Sequence, residues 1–211
     1  MFLINTQHIF FIFFMDSFKT IKSISEGYYT EKRSRFLSFA IPVRTVEEVK
    51  EYVAEYKKKY YDSRHVCWAY MLGPDRITFR AVDDGEPSST AGKPILGQIN
   101  SNELTDILVI VIRYFGGIEL GTSGLIVAYR SAAAEAIKAA EVEECTVDVY
   151  MTVAFEYPYL NGIMRVVKEE QPEVIEQKLE MTCMMTLRIR KNLSERLKNR
   201  LLKIETTYLI E

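Results

Sequence analysis

The sequence contains little cysteine and little histidine, which limits the metal chemistry that it can carry. Its three cysteines, Cys67, Cys145 and Cys183, are far apart, and no CxxC pair or Cys-His spacing typical of a zinc site occurs. Only two histidines are present, and the one beyond the first 14 residues is His65. We therefore expect no metal site and no cofactor, and we interpret the cysteines as core thiols of a reducing cytosol.

An excess of charge of one sign is also missing. The chain has 27 Lys and Arg against 29 Asp and Glu, a formal net charge of −2. This balance lacks the overall basic footprint that is typical of nucleic-acid-binding proteins. Any contact with RNA or a ribosome must therefore use a local patch.

No apolar run is long enough to span a bilayer. The run "IFFIFF" near the start is far shorter than the about 20 residues that a spanning helix needs. No basic residue precedes it and no small-residue cleavage site follows it, which disfavours a signal peptide. We interpret Met15 as the natural start and residues 1–14 as a non-native or disordered extension, and we expect a cytoplasmic protein without membrane contact.

The rest of the chain has the composition of a folded protein. Of its 211 residues, 48% are hydrophobic and 12% are aromatic, which supports a real core. This length accommodates one large domain or two small ones.

The hydrophobic pattern up to residue 140 predicts the element order ββαββαβα. Strands are predicted at 28–33 and 35–43, and Thr45 with Glu48 has the spacing of a capping box before a helix that runs to about residue 60. "HVCWAYML" and "ITFRAV" predict two strands, and 95–103 predicts a short helix. "DILVIVIRYF" is typical of a buried central strand. A helix is predicted from Leu125 to about Ala140.

Near residue 145 the pattern begins again. "VYMTVAFEY" predicts a strand, Pro158 opens a helix, two strands follow at 173–180 and 181–190, and "TTYLIE" predicts a last strand. Asn192 with Glu195 has the spacing to cap a second helix between them. This βαββαβ order is the ferredoxin-like arrangement. We therefore predict an α+β protein of two domains, 15–145 and 146–211, joined near 141–148.

The segment "DDGEPSSTAGKP", residues 83–94, is similar in composition to a phosphate-binding loop. Six residues separate Gly85 from Gly92, and Pro94 stands where the metal-binding hydroxyl of a Walker A loop belongs. The P-loop hypothesis therefore fails on spacing and on chemistry.

A second glycine-rich segment, "RYFGGIELGTSG" at 113–124, joins the buried strand to the long helix. Its glycines do not match the dinucleotide fingerprint. Thr122 or Ser123 can cap the helix, and the backbone N–H groups there, with Arg113, would stabilise an anionic group. Spacing alone favours the alternative, in which the glycines only make tight turns and allow close packing.

His65 could act together with Asp83, Asp84 or Glu86 if the fold brings them together. The residue types alone favour a structural histidine at a strand edge. On the last helix, Arg196, Arg200 and Lys203 lie away from the leucine stripe, which indicates a solvated face or, alternatively, a secondary basic face for phosphate contacts.

Taken in order, "HVCWAY", "DDGEPSSTAGKPIL", "VIRYFGGIELGTSGL" and "AAAEAI" resemble the YigZ/IMPACT family, as a two-domain, bacterial-type member. Ser89 and Ser123 stand where glycine is expected in many members, and Val127 where a basic residue is common. The resemblance implies an N-terminal domain like the second domain of small-subunit ribosomal protein five, and a C-terminal domain like the last domain of elongation factor G. It also implies eukaryotic relatives that restrain a starvation-responsive kinase pathway controlling translation initiation.

Two classes of function remain open at this point. The first is a non-enzymatic translation-associated regulatory or binding protein whose partner is a ribosome, RNA or a translation factor. The second is a hydrolase or transferase that uses Asp84, Glu86, His65 and Lys93 on an anionic, phosphate-bearing substrate. No catalytic residue is assigned. The predicted binding surface comprises His65, Asp84, Glu86, Thr90, Gly92, Lys93, Arg113, Gly116, Gly117, Gly121, Thr122 and Gly124.

Overall fold

Three sheets organise residues 16–210, which are the residues that the computed structural model describes. The chain divides into two compact units, Ser17–Cys145 and 146–210, and Asp16 belongs to the second. Each unit combines helices with sheet, so the predicted α+β fold class is confirmed. Residues 1–14, predicted to be an extension, lie outside the described residues.

The first unit contains a five-stranded sheet with the strand order β2-β3-β6-β4-β5, and a separate pair, β1 with β7. All neighbours in the five-stranded sheet are antiparallel. The elements are β1 (Ser17–Ile21), β2 (Ser25–Glu31), β3 (Ser34–Pro42), α1 (Val46–Lys59), β4 (His65–Leu72), β5 (Thr78–Val82), α2 (Gly92–Ser101), β6 (Ile107–Tyr114), α3 (Gly121–Ala139) and β7 (Val142–Thr146). The β1–β7 pair was not predicted from the sequence.

The central strand β6 is covered on both faces, which explains its uninterrupted apolar run. Ile107, Val109 and Val111 belong to the apolar cluster that includes residues of α2 and α3. The residues that alternate with them belong to the cluster that includes Val49 and Tyr56 of α1. Since successive side chains of a strand point to opposite faces, a strand between two helical layers needs apolar residues at every position.

Helix starts were predicted with mixed success. Thr45 caps α1 as expected, because its Oγ1 accepts a hydrogen bond from the backbone N–H of Glu48 at 3.2 Å. The predicted start of α3 at Leu125 is wrong, because the helix already begins at Gly121. Leu120 is its N-cap residue and no side chain caps it, so the predicted capping by Thr122 or Ser123 is also wrong.

The second unit has the predicted βαββαβ order. Its elements are β8 (Asp148–Glu156), α4 (Leu160–Glu170), β9 (Glu173–Lys178), β10 (Thr182–Arg190), α5 (Lys191–Leu201) and β11 (Tyr208–Ile210). The strand order β11-β8-β10-β9, with antiparallel neighbours throughout, is that of a ferredoxin-like sheet.

The predicted cap of the last helix is wrong in the same way as that of α3. No side chain of Asn192 or Glu195 caps α5, which begins at Lys191. Instead, Asp16 Oδ1 accepts a hydrogen bond from the backbone N–H of Asn192 at 3.1 Å. Because this partner is 176 residues away in sequence, local spacing could not reveal it.

Candidate functional site

The carboxylate of Asp83 holds the segment 83–94 together through hydrogen bonds to its backbone. Its two oxygens accept hydrogen bonds from the backbone N–H groups of Ser89 at 2.8 Å, Ala91 at 3.0 Å and Gly92 at 2.8 Å. Burial alone would raise the pKa of Asp83, but these three hydrogen bonds outweigh it and hold the pKa below its ordinary value. The segment is therefore a rigid loop that also caps the N-terminus of α2.

Asp84 fastens the same loop to the start of β4. Its carboxylate accepts a hydrogen bond from the backbone N–H of Val66 at 2.8 Å and forms an ion pair with Lys57. Its backbone carbonyl lies 2.8 Å from Nδ1 of His65. A carbonyl oxygen can only accept a hydrogen bond, so Nδ1 of His65 is the donor and carries a proton. In the neutral imidazole, Nε2 is then the ring nitrogen without a proton.

Glu86 is the centre of a buried polar cluster. Its side chain is 3% exposed, and its Oε1 accepts hydrogen bonds from Arg113 Nη1 at 2.6 Å and from the Tyr129 hydroxyl at 2.8 Å. His65 Nε2 lies 3.8 Å from the same oxygen. Burial, with the nearby Cys67 and Glu86, raises the pKa of Tyr129, so the neutral phenol is the donor.

Arg113 is held from two further sides by aromatic rings. Its guanidinium lies 5.7 Å from the ring centroid of Phe36 and 5.5 Å from that of Phe115. The side chain is 7% exposed, and its Nε has no hydrogen-bond acceptor within residues 16–210. Glu86 and the two rings therefore fix the guanidinium at the end of β6.

A groove of about 490 Å³ lies over this cluster. It brings together the segment 83–94, the end of β6 and the N-terminus of α3. Its walls are formed by Arg64, His65, Glu86, Pro87, Arg113, Phe115, Glu119, Leu120, Gly121, Thr122 and Leu125.

Five residues of the predicted surface therefore meet in the groove, namely His65, Glu86, Arg113, Gly121 and Thr122. The others have different positions. The backbone carbonyl of Asp84 contacts His65, and Thr90 and Gly92 are buried in the loop. Lys93 is exposed in the first turn of α2 but does not line the groove. Gly116 packs on the backbone of Arg33 and Ser34, Gly117 is exposed, and Gly124 lines a different, smaller pocket.

Sequence reasoning missed three residues that shape the site. Tyr129 is the tyrosine within the alanine-rich helix, and this interruption is the signal that could have singled it out. Arg64 and Phe115 flank His65 and Arg113 in sequence and line the groove beside them. Neither has a sequence signal that separates it from an ordinary surface residue.

The basic face predicted on the last helix is largely neutralised. Arg196 and Arg200 both form ion pairs with Glu170 of α4, and Arg200 also pairs with Glu169. These hydrogen-bonded ion pairs hold the pKa of Glu170 below its ordinary value. Lys203 is exposed. The positive charge available to a phosphate on this face is therefore much smaller than the sequence indicated.

The whole groove falls within one recognised family segment. The sequence model of the Impact N-terminal domain matches residues 32–137. The chain belongs to the IMPACT family. Its relative YvyE, an IMPACT family member of Bacillus subtilis, is 35% identical over 157 residues, covering 74% of this chain and 72% of that protein. YigZ, an IMPACT family member of Escherichia coli, is 37% identical over 134 residues, covering 63% and 66%.

A solved structure supports the same assignment. The crystal structure of a hypothetical protein matches with a TM-score of 0.69 and 28% identity, covering 93% of this chain and 98% of that one. Family membership and the two-part α+β fold thus agree with the resemblance in the sequence. Within residues 16–210, no cluster of three or more His, Cys, Asp or Glu side chains could hold a metal ion. No helix in that range has both the length and the apolar character needed to cross a membrane.

Proposed function

We propose that this IMPACT family member is a cytoplasmic, translation-associated regulatory protein that binds RNA of a ribosomal particle through the groove. Family membership supports the link to translation, since the resemblance implies relatives that act on the control of translation initiation. The observation that carries the proposal for RNA is the composition of the groove. It places an exposed guanidinium, a half-exposed aromatic ring and an uncapped helix N-terminus around one space.

Each of these features has a known use in binding single-stranded nucleic acid. Phe115 is 49% exposed, so a base can stack on its ring. Arg64 is exposed at the rim and can neutralise a phosphate. The opposite charge of Glu119 at the same rim limits the electrostatic contribution. We therefore expect moderate affinity with a shallow salt dependence.

Co-sedimentation with purified bacterial ribosomes tests the proposal. Arg64→Glu should weaken binding about tenfold at low salt, because a phosphate contact becomes a repulsion. Arg130→Glu is the matched control, since Arg130 is equally exposed on α3 and does not line the groove. Ribonuclease treatment of the ribosomes should release the protein. Equal binding by both variants, or binding that survives ribonuclease, would reject the RNA contact.

A second candidate function is hydrolysis or group transfer on a phosphate-bearing substrate. The observation that favours it is His65, whose protonated Nδ1 leaves Nε2 available as a base beside Glu86 in the groove. Asp84 and Lys93 no longer contribute, because Asp84 is engaged by Lys57 and Lys93 lies elsewhere. Phosphate release from nucleoside triphosphates that His65→Asn abolishes would support this candidate, and an inactive parent protein would remove it.

We also propose that 15–145 is an IMPACT/YigZ N-terminal domain and that 146–211 is a separately folding ferredoxin-like domain. The contact pattern of the two units supports a boundary near residue 146. Limited proteolysis tests it. Cleavage between β7 and β8 before any cleavage within either unit is the expected result, and first cleavage within α3 would contradict it.

A further inference from the structure

We propose that the groove contains a phosphate subsite for single-stranded RNA, formed by the N-terminus of α3 beside Arg113, with the adjoining base stacked on Phe115. This inference rests on the proposed function and makes it more specific.

The first part of the subsite is the helix end itself. Helix α3 has 19 residues, and no side chain caps its N-terminus. The first N–H groups of a helix have no partner within the helix and carry partial positive charge, so they bind phosphate oxygens well. Gly121 begins the helix at φ +69°, and among the described residues no atom beyond its chain neighbours and the backbone of its own helix lies within 4 Å of where its Cβ would stand. An anion can therefore approach this backbone closely.

The second part is the buried guanidinium that lines the same groove. Arg113 uses Nη1 for Glu86, whereas its buried Nε has no acceptor within the described part of the chain. Buried side-chain nitrogens normally have a partner, so an unsatisfied one is unusual. The side chain of Arg113 lines the same groove as the N-terminus of α3, so a phosphate bound there would be a second anionic neighbour of the guanidinium after Glu86.

Charge balance assigns the deciding role to the helix. The groove has two guanidinium groups, Arg64 and Arg113, and two carboxylates, Glu86 and Glu119. These four charges cancel formally, so the N-terminus of α3 supplies the remaining positive potential. A phosphate should therefore depend more on the backbone N–H groups than on any single cation.

The third part is the ring of Phe115. Its centroid lies 5.5 Å from the Arg113 guanidinium, the residue is half exposed, and it lines the groove. A ring in this position is a stacking platform for one base next to the bound phosphate. The groove volume of about 490 Å³ is within the range of about 300–1,000 Å³ that small-ligand sites have.

The test removes a single N–H group without removing a charge. In Thr122→Pro the ring replaces a backbone donor in the first helical turn, where proline is tolerated. Thr122→Ala is the matched control, because it keeps the donor and loses only the hydroxyl. Binding of fluorescein-labelled pentauridylate is measured by anisotropy over a salt series, and circular dichroism and thermal melting verify folding.

We expect Thr122→Pro to bind about tenfold more weakly than the parent, with an unchanged log–log salt slope, because a neutral donor to a charged acceptor is lost. Thr122→Ala keeps the backbone donor, so the difference in affinity between Thr122→Ala and Thr122→Pro measures the contribution of that N–H group. Inorganic phosphate should compete with the oligonucleotide on the parent and not on Thr122→Pro. Pentauridylate with and without a 5′-phosphate then distinguishes a terminal phosphate from an internal one.

Three results would overturn the subsite. If the parent binds pentauridylate and Thr122→Pro binds equally well, RNA binding stands and the subsite does not. If the parent does not bind pentauridylate, both the RNA-binding proposal and the subsite fail. Should Thr122→Pro not fold, Phe115→Leu decides, since it removes the stacking face, and binding equal to the parent overturns the inference.

Discussion

Replacing Glu86 by glutamine tests whether the buried cluster under the groove depends on charge. Glutamine has nearly the same shape and keeps an oxygen that can accept from Arg113 and Tyr129, which donate at 2.6 and 2.8 Å in the parent. The substitution therefore removes the negative charge and leaves the hydrogen-bond geometry available. The guanidinium of Arg113, 7% exposed, would remain buried without a counterion.

The expected cost follows from this burial. Removing one partner of a buried ion pair typically costs about 3–5 kcal/mol, because the remaining charge is uncompensated in a medium of low dielectric constant. Since glutamine still accepts both hydrogen bonds, we expect a loss near the lower limit, about 3 kcal/mol. Replacing Arg113 by methionine in the same protein should recover much of this loss, because neither charge is then buried alone.

Urea denaturation followed by Trp68 fluorescence is the assay, because Trp68 is the only tryptophan of the sequence and lies in β4 of the same unit. Glu103→Gln is the matched control. Glu103 pairs with Lys19 at 2.8 Å, but their side chains are 70% and 47% exposed, so we expect a much smaller loss than for Glu86→Gln. Equal losses for Glu86→Gln and Glu103→Gln would refute the reasoning.

Three further predictions concern the same unit. Asp83→Asn should cost about 2 kcal/mol at neutral pH, because charge-assisted hydrogen bonds to three backbone N–H groups are weakened. The folded-state pKa of Asp83 is lowered from 3.8, so its carboxylate stabilises the folded state above that pH. This stabilisation is lost as the pH falls through the folded-state pKa, so the urea denaturation curves of parent and variant should converge in acid. Gly116→Ala should lower the melting temperature far more than Gly117→Ala, because a Cβ at position 116 would overlap the neighbouring backbone. A Cβ at position 117 has open space, so Gly117→Ala bears only the conformational cost of its φ of +84°, about 1 kcal/mol. In the native protein only the thiol of Cys145 should react readily with an aromatic disulfide reagent, because the other two cysteines are buried. Rapid reaction of a second thiol would contradict this expectation.

The structure changes how the arginine at the end of β6 can be studied. From the sequence, Arg113 is a candidate cation of an anion-binding surface. In the structure it is the buried partner of Glu86, so its removal is expected to destabilise the unit. Binding experiments therefore use Arg64 and Thr122, which reach the groove without supporting the core.

The sequence by itself determined the types and order of most elements, because these depend on local periodicity. The apolar run of β6 indicated a strand covered on both faces, Thr45 indicated the start of α1, and the pattern after residue 145 indicated a ferredoxin-like unit. The signal for each single element lies within a window of about ten residues, in which side chains interact with their own helix turn or strand. The order of the family segments also led to the IMPACT family without any structure.

Only the tertiary structure decided which polar residues meet. Glu86 bonds to residues 27 and 43 positions away, and its partners could not be chosen from the many cations and tyrosines of the chain by spacing. The same holds for Arg196 and Arg200, whose charge looks available in the sequence but is neutralised by Glu170 of another helix. A side chain's charge is fixed by its type, but its partner is fixed by the packing of distant elements. That partner decides whether the group binds a ligand or supports the core.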